Sequence, residues 1–164
     1  MKIRYRWKPS KLHPMPNPER GLLNKLICRA AEVAGLPVQR DWQASVLFVG
    51  GRSMAKANAD YVGHQGETDV ITFSYVDDPE SLFPGDVAVE LLICIDVALK
   101  EGTQREDSSY AEELTLYILH GFLHSAGYED LTPEARRGMR RGERRGMEIL
   151  RKEFDLNKVF NVQD

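Results

Sequence analysis

The sequence predicts an α+β fold: a single mixed β-sheet of about four strands covered by helices, one of them a zincin-like metal helix. Three observations predict it. Four short runs rich in β-branched and aromatic residues are interspersed with amphipathic helical patterns. The 164 residues hold no repeat, low-complexity tract or interdomain linker, so 1–164 are expected to form one domain with its own core. A leucine-rich helical pattern also carries two histidines four residues apart, a spacing that suits a metal ion.

The elements follow in order. IRYRWK alternates large and charged residues and reads as a short strand. PSKLHPMPNPE, with four prolines, reads as an irregular crossing loop. A helix is expected from about Glu19 to Ala34, with Leu22, Leu23, Leu26, Ile27 and Ala30 on one face and Gly35 as its stop. SVLFVG is a strand ended by two glycines, after which Ser53 is placed to cap a short helix reaching about Tyr61. DVITFSY and DVAVELLICI are two further strands, joined by the turn-rich VDDPESLFPG. A long helix should begin near Glu106 and run through Leu114, Ile118, Phe122 and Leu123 to Gly127. The last helix starts at a Thr132 cap, with Pro133 in its first turn, and continues to about Phe154.

Composition narrows the function classes. Hydrophobic residues make up 42% and charged residues 29%, ordinary for a globular domain. A formal charge of −3 supplies no global basic field, so any contact with nucleic acid must come from local patches. Cys28 and Cys94 sit in apolar runs without a C-x-x-C partner, the pattern of buried thiols in a reducing compartment. MKIRYRWKPS lacks the apolar segment of a signal peptide, and no stretch approaches a membrane span. A cytoplasmic protein with no membrane partner is expected.

The chemistry concentrates in LHGFLHSAGYED, residues 119–130. In H-x-x-x-H on a helix the two imidazoles lie about 40° apart and one turn up the axis, so His120 and His124 can face one ion. A catalytic zinc takes three protein ligands and keeps one position open. Gly127 lets the backbone turn sharply, and the spacing then offers Asp130 or its neighbour Glu129 as the third ligand. The glutamate base of H-E-x-x-H proteases is replaced by Gly121, which disfavours a protease working through that base.

H-G-F-L-H-S-A-G-Y-E-D resembles the signature of the YbeY family, metal-dependent endoribonucleases and ribosomal RNA maturation factors, whose pattern is H-G-x-L-H-x-x-G-Y-D-H. NADYVGHQGETDVITFSY resembles the family's N-x-x-Y-R-x-x-D-x-x-T-D-V-L-S-F, and GDVAV its G-D-I-V-I strand. Glu148, Ile149 and Leu150 resemble the acid and Ile-Leu pair of the family's last helix. The resemblance implies a zinc-dependent single-strand endoribonuclease acting in ribosomal RNA processing, ribosome maturation and quality control. It implies one Zn2+ held by His120, His124 and Asp130, with ribosomal RNA as partner and ribosomal proteins or an assembly GTPase beside it. Two departures accompany it. Asp130 stands where the family has its third histidine, and Val62 where the family has an arginine beside the metal cleft.

Other residues complete the expected site. Arg136, Arg140 and Arg144 form one row of the last helix, with Arg137, Arg141 and Arg145 on the next, a basic stripe at a spacing that suits phosphates. His64, two residues after Val62, is placed to replace some of the missing arginine's charge. Glu113, two turns before His120 on the same face, is the candidate proton acceptor or partner behind the ligands. Thr68 and Asp69 read as a turn or cap outside the site. Gly138, Gly142 and Gly146, every fourth residue, predict close backbone packing. Two rival functions stay in view: a zinc peptidase or amidase, and a ribosome-assembly factor with a structural metal.

Overall fold

A computed structural model describes residues 1–8, 18–77 and 81–162. Most of the proline-rich crossing loop, and residues 78–80 of VDDPESLFPG, lie outside the described residues. The strands are β1 (Lys2–Trp7), β2 (Gln43–Val49), β3 (Val70–Ser74) and β4 (Val87–Cys94). They form one sheet in the order β1-β2-β4-β3, with β1 and β4 parallel to β2 and β3 antiparallel to β4. The sheet is mixed and four-stranded, as the sequence predicts.

The helices are α1 (Arg20–Ala34), α2 (Gly51–Ala57), α3 (Ile95–Gln104), α4 (Tyr110–Ser125), α5 (Pro133–Glu153) and α6 (Leu156–Phe160). A one-turn π-helix, Asn58–Val62, continues α2. Helix α1 ends where expected, because Gly35 adopts φ 99° and its N–H closes onto the Ala31 and Glu32 carbonyls. Thr132 caps α5 by accepting from the Ala135 N–H, with Pro133 behind it. Helix α4 runs through the core, buried at Leu114, Ile118, Leu119, Phe122 and Leu123. It packs on β3, β4, α1 and α5. The opposite face of the sheet has only a small cluster of Val49, Met54, Ala57, Ile71 and Cys94 under α2.

Three expectations needed correction. Ser53 is not a cap: α2 already begins at Gly51, whose N–H is taken by the Asp96 carboxylate at 2.6 Å from α3. A tertiary acceptor thus replaces the local cap. Strand β4 stops at Cys94 and passes straight into α3, an element the sequence reading missed, since no glycine, proline or polar cap marks the junction. The long helix begins at Tyr110 rather than near Glu106, because Ser109 is the residue that caps it, accepting from Glu112 N–H. The short α6 also escaped the sequence reading. Its five residues, capped by Asp155, are too few to show a period.

Candidate metal centre

The last two turns of α4 present His120 and His124, whose rings stand 4.6 Å apart at 84°. Between them Gly121 faces the sheet. A Cβ there would lie 2.6 Å from Leu91 Cδ2 and 3.0 Å from Thr72 Oγ1. Helix and sheet therefore approach so closely that the glutamate of a protease helix would run into β3 and β4.

Each histidine is held through Nδ1. Glu143 Oε1 lies 2.7 Å from Nδ1 of His120, and the Tyr128 carbonyl 2.9 Å from Nδ1 of His124. A carboxylate and a carbonyl only accept, so Nδ1 donates to each, and in the neutral ring Nε2 keeps its lone pair. Gly127 supplies the left-handed turn, φ 91°, that folds the chain back after α4. Asp130 Oδ2 then reaches within 3.5 Å of His124 Nε2 and 4.0 Å of His120 Nε2. Ligand atoms from the three residues all lie within 4.8 Å of one another. Bonds of about 2.0–2.2 Å to a tetrahedral ion would place ligand atoms roughly 3.4 Å apart, so small adjustments suffice. Glu129, the alternative left open by spacing, is exposed and outside this cluster.

The centre opens into a cleft of about 750 Å³, walled by β3, the π-helix and the loop 63–69. Glu67, Asp69 and Asp130 line it together with His64 and Val62, and among the described residues no lysine or arginine does. Burial opposes protonation of His120. The Glu143 hydrogen bond, with the charges of Glu143, Asp69 and Asp130, outweighs it and raises the histidine's pKa above its usual value.

The remaining candidates fall in different places. His64 is exposed on the cleft wall. Arg136 spans the ligand loop, donating to the carbonyls of Asp130 at 2.7 Å and Leu131 at 3.2 Å. Arg137, Arg140, Arg141 and Arg144 are exposed on α5 and make no ion pair among the described residues. Glu113 is buried and does not line the cleft; it accepts from Ser108 Oγ at 2.6 Å and from Arg105 at 3.4 Å. Thr68 and Asp69, set aside as turn or cap residues, bond locally: Asp69 Oδ1 accepts from Val70 N–H and Thr68 Oγ1. They also line the cleft.

Sequence reasoning missed Glu143 as the partner of His120. The signal lay in the glycines flanking it. Gly142 and Gly146 are buried against Leu123 and Leu119, which draws α5 onto α4 and carries Glu143 to the histidine. Gly138, the third of the series, has only Arg141 Nη2 near its Cβ position, at 3.9 Å.

A family model described as endoribonuclease YbeY matches residues 16–151. A protein named endoribonuclease YbeY from Chlorobium luteolum is 34% identical over 121 residues, 73% of this chain and 83% of its own. Proteins of the same name from Elusimicrobium minutum and Rhodopirellula baltica are 34% and 36% identical, over 59% and 61% of this chain. Those two matches span 66% and 50% of the relatives' own lengths. A Thermotoga maritima protein solved in solution shares the fold, with a TM-score of 0.59 and 21% identity over 99% of this chain and 97% of its own.

Proposed function

The chain belongs to the endoribonuclease YbeY family, and from that premise we propose that it is a zinc-dependent endoribonuclease that cuts single-stranded RNA in ribosomal RNA maturation. The observation that carries the proposal is the clustering of ligand atoms from His120, His124 and Asp130 within 4.8 Å of one another. Two imidazoles and a carboxylate are a donor set that zinc accepts readily. In this reading residues 1–164 act as one YbeY-like domain.

His120, His124 and Asp130 would hold the ion. Bound there, a divalent ion supplies a Lewis acid beside the scissile phosphate and stabilises the charge that develops on it. The chain's own groups prepare that position. Glu143 and the Tyr128 carbonyl fix the proton on each Nδ1 and so aim both Nε2 lone pairs. Arg136 pins the loop that delivers Asp130. Glu67 and Asp69 add negative charge to a cleft wall in which no described residue is a lysine or arginine, so a phosphodiester is repelled unless a cation is present. His64 on that wall, and Arg137, Arg140, Arg141 and Arg144 on α5, are the proposed RNA contacts. Glu113 supports the same helix two turns away, anchoring its first turn through Ser108 and Arg105.

Val62, in place of the family arginine, favours one second reading: a ribosome-assembly factor, meeting ribosomal proteins or a GTPase, whose metal is structural. Metal content and substrate choice separate the readings. Purified protein should hold one zinc per chain, and His124→Ala and Asp130→Ala should lose it. Zinc-loaded protein should cut single-stranded RNA and leave casein intact. Cleavage of casein would move the activity to peptides; cleavage of neither would favour the assembly factor.

A further inference from the structure

Among the described residues no lysine or arginine lines the metal cleft, yet a long anionic substrate must be held somewhere. We propose that the open face of the β-sheet is a docking surface for single-stranded RNA, whose chain passes from it over β3 into the metal cleft. The inference rests on the ribonuclease reading of that cleft.

Strand β1 is an edge strand with strict alternation. Ile3, Tyr5 and Trp7 pack against the core, and Trp7 stacks on Phe48. Lys2, Arg4, Arg6 and Lys8 are therefore all exposed on the opposite face, away from the helical layer. Alternate residues of a strand are roughly 6.6 Å apart, so the four cations form a straight row. Among the described residues only Lys2 has an acidic partner, Asp41 at 3.8 Å. Arg6 pairs in register with Leu47, which lines a groove of about 540 Å³ that begins at Lys8. The far wall of that groove is aromatic: Tyr61, 69% exposed, meets Phe73 edge-on at 5.4 Å, and Tyr75 is 47% exposed.

A row of cations leading to exposed aromatic rings suits phosphates followed by unstacked bases, which only a single strand offers. Glu90 and the ion-paired Asp60 are the acids of the groove, too few to reverse the row. The groove also adjoins the cleft. Tyr61 faces the groove and Val62 the cleft from one turn of π-helix, while Phe73 and Thr72 do the same from β3. An acidic protein segment would match the cations but would bring no flat bases to the exposed rings.

The test is fluorescence anisotropy of a labelled mixed-sequence single-stranded RNA, with chelator present so that nothing is cut. Arg4→Gln/Arg6→Gln/Lys8→Gln should weaken binding about tenfold or more and flatten the log–log salt slope by about 2. Tyr61→Ala/Tyr75→Ala should weaken it roughly tenfold with the slope unchanged. Wild-type affinity in both variants would overturn the proposal, as would equal competition by polyglutamate or by duplex RNA. Zinc-dependent cleavage of a very short RNA, assayed separately, reports on the cleft alone. Loss of that cleavage with normal anisotropy would sink the ribonuclease reading and leave the surface standing.

Discussion

His120 shows how much one residue owes to partners distant in sequence. Glu143, 23 positions later, holds its Nδ1, and Glu143→Gln should lower zinc affinity by about 10- to 100-fold, read by competition with a chromophoric chelator. The same contact sets a pH dependence. Because the folded-state pKa of His120 is raised, its protonated form stabilises the metal-free fold below the unfolded-state value near 6.5. That contribution is lost as pH rises through the folded value. Zinc needs the neutral ring, so its affinity should rise with pH across the same window and fall below it. Glu143→Gln should move that fall to lower pH; an unmoved profile would show that Glu143 does not control the ring. The histidine pair was legible because both residues belong to one helix, where spacing fixes direction. Asp130 was legible only as one of two acids, and the turn at Gly127 decided between them. Glu143 was not legible, since its contact depends on how two helices cross.

Between elements, close approach is set by residues that have no side chain. Gly121→Ala would put a methyl against Leu91, and Gly146→Ala one against Leu119 at 2.5 Å; both leucines are fully buried and cannot swing into solvent. Each substitution should destabilise the fold by about 1–3 kcal/mol in urea unfolding, overriding the helix propensity gained. Gly138→Ala meets only Arg141 Nη2, at ordinary contact distance, and should instead stabilise α5 by up to about 1 kcal/mol. Equal effects at positions 138 and 146 would contradict the packing described. Strands β1 to β4 and helices α1, α4 and α5 were readable from period and caps. Helix α3 was not, because an apolar strand runs into it without punctuation, and α2 was misplaced because Asp96 of α3 satisfies its first turn. Local signals fail where a tertiary contact does the capping.

For the whole molecule, the sequence made the family frame legible through one histidine block, while the distribution of charge became visible only in three dimensions. A net charge of −3 conceals an acidic cleft, a basic row on β1 and an arginine-rich face of α5. Which edge strands bound the sheet is not written in any local pattern, and so neither was the adjacency of groove and cleft. Metal binding should also act on the entire fold. Zinc at 100 times its dissociation constant should stabilise wild-type protein by about 2.7 kcal/mol, seen as a raised Tm, and should not move the Tm of His124→Ala. The most direct test of the central claim is the cleavage rate of a labelled single-stranded RNA as zinc is titrated into chelator-stripped protein. Cleavage should rise in proportion to zinc, level off at one equivalent, and stay at background in Asp130→Ala. Full-rate cleavage by the stripped protein would contradict it.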